Sequence, residues 1–151
     1  MTILDKKEIL KQVEAQLLEK VSLLKKQISD LALDAQNDAK GSAGDKHETG
    51  LAMMHLEQEK LSAHLEQALV QLQNLQKIST DTPHNQVTLG SIVQTQSAVF
   101  FVCDALPTLK YQKTTVFPLS TKAPIYNELK GKRAGESFIF NAKQIKIDFI
   151  I

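Results

Sequence analysis

Apolar residues in the first half of the chain recur at spacings of three and four. Leu10, Val13, Leu17, Val21, Leu24, Ile28 and Leu31 form one stripe. Met54, Gln58, Leu61, Leu65, Ala68, Leu72 and Leu75 form a second, with Gln58 its polar member. This is the a/d spacing of a coiled-coil seam. A bend near residues 42–43 sets Leu31 opposite Met54, Leu24 opposite Leu61, Leu17 opposite Ala68 and Leu10 opposite Leu75. The stripes match in register along their length, which predicts an intramolecular antiparallel hairpin. Lys40-Gly41-Ser42-Ala43-Gly44 supplies glycines for a tight turn, and Asp45 stands where the second helix needs an N-cap. A first helix of about 34 residues, rising 1.5 Å each, makes an arm on the order of 50 Å long.

The helical period stops at Ser79-Thr80-Asp81-Thr82-Pro83-His84-Asn85, a polar stretch containing proline. Beyond it, strands are expected at 87–93, 98–103, 114–117, 138–140 and 145–149, the last alternating as a half-buried strand does. A short helix from Pro124 to Leu129 starts on proline and is stopped by Gly131, with a turn following at 132–136. The expected organisation is a coiled-coil hairpin over 1–79 with an acidic tip near 41–48, a linker at 80–86, and a small α+β domain over 87–151. About 65 residues is close to the lower limit for an independent core.

Composition sharpens this division. No aromatic residue precedes Phe100, as befits a two-helix seam filled by Leu, Ile, Val and Ala and not a compact centre. The net charge of +1 hides an asymmetry: residues 1–80 carry ten Lys against twelve acids, and residues 81–151 eight basic residues against five acids. Halves of −2 and +3 are too mild for a general nucleic-acid binder. The single cysteine, Cys103, excludes an internal disulfide and fits a reducing compartment. Met1 to Leu4 runs straight into Asp5, Lys6, Lys7 and Glu8, which leaves no signal-peptide core, and no stretch is long enough to span a bilayer. A cytoplasmic protein with no membrane partner is expected.

Candidate chemistry concentrates in Gly44-Asp45-Lys46-His47-Glu48, at the bend. Asp45 and Glu48 are three apart and share one face of the helix's first turn. One reading makes them an N-cap and its capping-box partner. The other makes them hard-oxygen ligands for magnesium, which is held by one or two protein carboxylates plus substrate phosphates. In a two-metal phosphoryl-transfer site, added carboxylates can recruit a weakly held ion and its water. A cap uses only one lone pair, so the roles are compatible. An arm's end cannot enclose a pocket of its own, which favours a probe inserted into another machine.

These features resemble the Gre transcript-cleavage factors of bacterial RNA polymerase over nearly the whole chain: a coiled-coil hairpin, then a small FKBP-like domain. Val87 to Val93 looks like that domain's opening strand, and Pro118 to Ile125 with Leu129 to Glu136 looks like its serine-proline segment, short helix and glycine turn. At the tip, Gly44, Asp45 and Glu48 occupy the first three defined places of the family's Gly-Asp-x-x-Glu-Asn-x-x-Tyr pattern, while Thr49 replaces Asn and Ala52 replaces Tyr. The resemblance implies an accessory factor, not itself an enzyme, that binds RNA polymerase and enters its secondary channel. There Asp45 and Glu48 would help hold magnesium shared with the polymerase active site, for hydrolysis of backtracked nascent RNA. It implies no cofactor of the chain's own. The alternative is a channel binder that inhibits without cleaving.

Other features point to less. Asp30, Asp34 and Asp38 share a helical face near the tip and read as a solvated acidic face or a lure for cations. Lys130, Lys132 and Arg133 form the one basic cluster, a soluble turn or a polymerase contact. His47, His55, His64 and His84 lack zinc spacing, and Cys103 reads as core. Two further classes compete: a prolyl isomerase, disfavoured by few aromatics, and an adaptor dimerising through its coiled coil, disfavoured by the intramolecular register. A monomer is expected.

Overall fold

The computed structural model describes the backbone of residues 4–39 and 45–151 and the side chains of 4–37 and 48–151. Helix α1 spans Lys6–Ala39 and α2 spans Asp45–Gln76. Asp5 caps α1: its Oδ1 accepts the backbone N–H of Lys7 at 3.0 Å and of Glu8 at 3.3 Å, satisfying two donors that a helix start leaves unpaired. The two helices form a hairpin whose residues 15–72 make one compact unit.

The expected stripes are the less exposed faces of both helices. Leu10, Val13, Leu17, Val21 and Leu24 are buried, and Ile28 and Leu31 are half-buried. On α2, Ala68 and Leu75 are buried, and Met54, Gln58, Leu61, Leu65 and Leu72 are half-buried. Neighbouring positions off the stripe are open: Leu24 is 6% exposed whereas Leu23 is 55% exposed. That contrast is what a two-helix seam produces, because each helix has only one partner to bury a face against.

Residues up to Glu14 together with Gln73–Ile151 form the other compact unit. Among the described residues it contains a six-stranded mixed sheet of order β3-β4-β2-β1-β6-β5. The strands are β1 (Ile92–Thr95), β2 (Val99–Val102), β3 (Leu109–Tyr111), β4 (Thr114–Leu119), β5 (Ser137–Phe140) and β6 (Lys143–Ile150), with helix α3 at Pro124–Leu129. The fold class is therefore α+β, hairpin first. β2 is central, antiparallel to β1 and parallel to β4, and all four of its residues are buried. Phe100 and Val102 join Val93, Leu119, Phe138 and Ile147 beneath Tyr126 and Leu129 of α3 in one core.

Two expectations need correction. The strand expected at 87–93 begins only at Ile92, because residues 88–91 close into a turn. Gly90 takes φ +90°, and the Ser91 hydroxyl donates to the Thr88 carbonyl at 2.7 Å while accepting its N–H at 3.1 Å. An added Cβ at Gly90 would also press Ile78 Cγ2 at 3.3 Å. Strand β3 has no counterpart among the expected strands. It is short and pairs only with Thr114–Val116 of β4, which leaves Pro118, a residue with no N–H, beyond its reach.

Candidate functional site

The tip acids divide at the limit of the described side chains. Asp45 opens α2 as the register expects, but its side chain, with those of Lys46 and His47, lies outside the described residues, as do Gly44 and the turn at 40–44. Glu48 is described and exposed in the first turn of α2. Thr49 and Ala52 follow it, also exposed. Placing the acids at a helix start follows from local chemistry: aligned peptide N–H groups there favour negative charge.

The acidic face resolves in part. Asp30 is paired with Lys26 one turn earlier, Nζ to Oδ2 3.4 Å, both well exposed; a surface pair of this kind contributes little to stability. Asp34 is exposed, and the side chain of Asp38 lies outside the described residues. Among the described residues no group of three or more His, Cys, Asp or Glu converges on a common point. The hard oxygens of a carboxylate pair suit magnesium, and of that pair only Glu48 has a described carboxylate.

The basic cluster sits on a structured turn. The Arg133 N–H donates to Glu136 Oε1 at 3.0 Å, and the Gly135 N–H donates to the Ile147 carbonyl at 2.8 Å. Lys130 and Arg133 are exposed, and Lys132 is half-buried. Its backbone carbonyl accepts the Val87 N–H at 2.8 Å, which ties the chain entering the sheet to this turn.

Two features went unread in the sequence. Phe100, Phe117 and Phe140, far apart in the chain, meet around a cleft of about 350 Å³ with Leu119, Ile125 and Ile145. Phe100 lies 5.8 Å from Phe117 and packs edge-on against Phe138 at 6.3 Å, ring centre to ring centre. A low aromatic count therefore understated the lining, since three of six Phe converge on one wall. The other is Lys6, an ordinary charge in the sequence, whose Nζ is buried with no hydrogen-bond partner among the described residues. Burial holds its pKa below 10.5. His84 is likewise held below 6.5, first by burial and then by the Lys6 charge. Cys103 is buried as expected, and burial pushes its thiol up to about 12.

No helix among the described residues is long and apolar enough to cross a membrane. No protein-family profile matches the sequence, and no curated protein matches it. Among solved structures, one titled as the transcription factor Gfh1 matches with a TM-score of 0.35 and 15% identity, covering 91% of this chain and 92% of that one. A match of that strength bears on neither activity nor partner.

Proposed function

We propose that the chain is an accessory factor of RNA polymerase that inserts its hairpin into the secondary channel and stimulates the polymerase's own cleavage of backtracked RNA. The observation that carries this reading is the pair of long helices, whose apolar stripes match in register in the sequence and form their less exposed faces, with Asp45 and Glu48 in the first turn of the second. The sequence resemblance at Gly44, Asp45 and Glu48 supports the same role.

Asp45 and Glu48 would hold magnesium together with oxygens of the polymerase and its RNA; the bound ion would supply an activated water at the scissile phosphate. What the chain itself contributes is position. A stiff arm fixes its end in space, Asp45 can satisfy a helix N–H while keeping lone pairs outward, and Glu48 stands one turn on with its carboxylate in solvent. Globular residues 87–151, net basic, would dock on the polymerase rim, with the Lys130, Lys132 and Arg133 turn as the candidate contact. The factor acts as a cytoplasmic monomer in a bacterial cell under this reading.

The runner-up, a channel binder that does not cleave, is favoured by Thr49 and Ala52, which bring neither the amide nor the phenol of the resembled pattern. Insertion is common to both readings. It is tested with Glu48→Cys carrying an iron chelate, since the native Cys103 is buried and its thiol protonated. Hydroxyl radicals should cut polymerase next to its catalytic magnesium. Cuts confined to the outer surface would refute insertion.

A further inference from the structure

A second candidate site lies within the unit made of residues up to Glu14 and Gln73–Ile151. The end of α2, the turn around Gly90 and the loop after β4 enclose a cleft of about 570 Å³, within the range of small-molecule sites. Lys77, Lys122 and His84 line it with the hydroxyls of Ser79, Thr82, Ser120 and Thr121, the first two hydrogen-bonded to each other at 3.3 Å; Asp104 is its one acid. Ser120 Oγ accepts the Lys122 N–H at 3.0 Å, which leaves its own proton to donate.

The adjoining cleft shares Thr82 and is lined by Lys6. Of the acids there, Asp5 is spent on capping α1 and Asp81 is exposed. A buried ammonium without a partner is costly, and a nearby anion offsets that cost. We propose that the cleft binds a small phosphate-bearing anion, held by Lys77, Lys122 and His84 and the hydroxyls beside them and backed by the charge of Lys6. This is independent of the polymerase reading.

Protonation of His84, which burial and the Lys6 charge hold below pH 6.5, would add a donor and a charge to the cleft. Lys77, Lys122, Asp104 and Cys103 are the other charged or titratable groups lining this cleft, and Asp5, Lys6, Lys7 and Asp81 line the adjoining one.

The test is a titration of the full chain with inorganic phosphate, followed by amide NMR shifts against sodium chloride of equal ionic strength. Saturable shifts are expected at Thr82, Gly90, Thr121 and Lys122. Lys122→Gln, a change at an exposed side chain that leaves folding intact, should weaken binding about tenfold, the loss of one charged contact. Lys6→Met should weaken it as well. Shifts that stay linear in phosphate, or a dissociation constant unchanged in Lys122→Gln, would overturn the site. So would a short single-stranded RNA that displaces phosphate and binds far tighter, because the cleft would then belong to nucleic acid.

Discussion

Ala142, Lys6, His84 and Cys103 each lead to a separate measurable consequence. Asn141 and Ala142 turn the β5–β6 hairpin at φ 53° and 63°, a left-handed pair that glycine adopts freely and alanine does not. Ala142→Gly should therefore stabilise the fold by roughly 1 kcal/mol, read as a raised urea midpoint with an unchanged slope. Lys6 and His84 both have folded-state pKa values below their ordinary 10.5 and 6.5, so the unfolded chain holds each proton more firmly. Stability should rise with pH from the folded His84 value up to 6.5, and again from the folded Lys6 value toward 10.5. Lys6→Met should remove the upper rise and raise stability at neutral pH by roughly 1–3 kcal/mol; equilibrium unfolding across pH measures both. Cys103, with its thiol at about 12, should resist alkylation at pH 8 until the chain unfolds.

At the scale of elements, the hairpin was legible because its signal is repetitive. Seven positions per helix obey one period, and each lies on the less exposed side. The sheet was less legible for reasons that particular residues show. Val87 to Val93 is apolar enough for a strand, yet Gly90 and the Ser91 hydroxyl impose a turn on its first half. β3 is three residues long and carries too little pattern to stand out from a loop. The cleft of Phe100, Phe117 and Phe140 is made by pairing β2 with β4 in parallel, and such long-range order has no local trace. The tip acids, by contrast, stood out in the sequence through their place at the expected bend and the pattern they resemble, and of the two only Glu48 has a described side chain. The seam makes a graded prediction. Leu24→Ala, at a buried position, should cost about 2–4 kcal/mol, while Leu18→Ala, half exposed, should cost under about 0.5 kcal/mol. Leu24→Asp should melt the arm. Circular dichroism at 222 nm during heating separates these outcomes, and equal losses for Leu24→Ala and Leu18→Ala would undo the register.

The molecule comprises two compact units, residues 15–72 of the two long helices, and the residues up to Glu14 with Gln73–Ile151, which contain the sheet. The central claim is that the arm's end carries chemistry to a partner that has the rest of the active site. Asp45→Asn isolates that claim, because Asn caps a helix about as well as Asp but removes the charge a magnesium ion needs. The decisive measurement is the rate of transcript cleavage in a stalled, backtracked RNA polymerase complex with the intact chain or Asp45→Asn added. The account predicts that the intact chain accelerates cleavage, and that Asp45→Asn binds the polymerase equally well yet leaves cleavage at its intrinsic rate, with partial rescue at raised magnesium. Equal acceleration by both proteins, or binding by the intact chain without any acceleration, would contradict it.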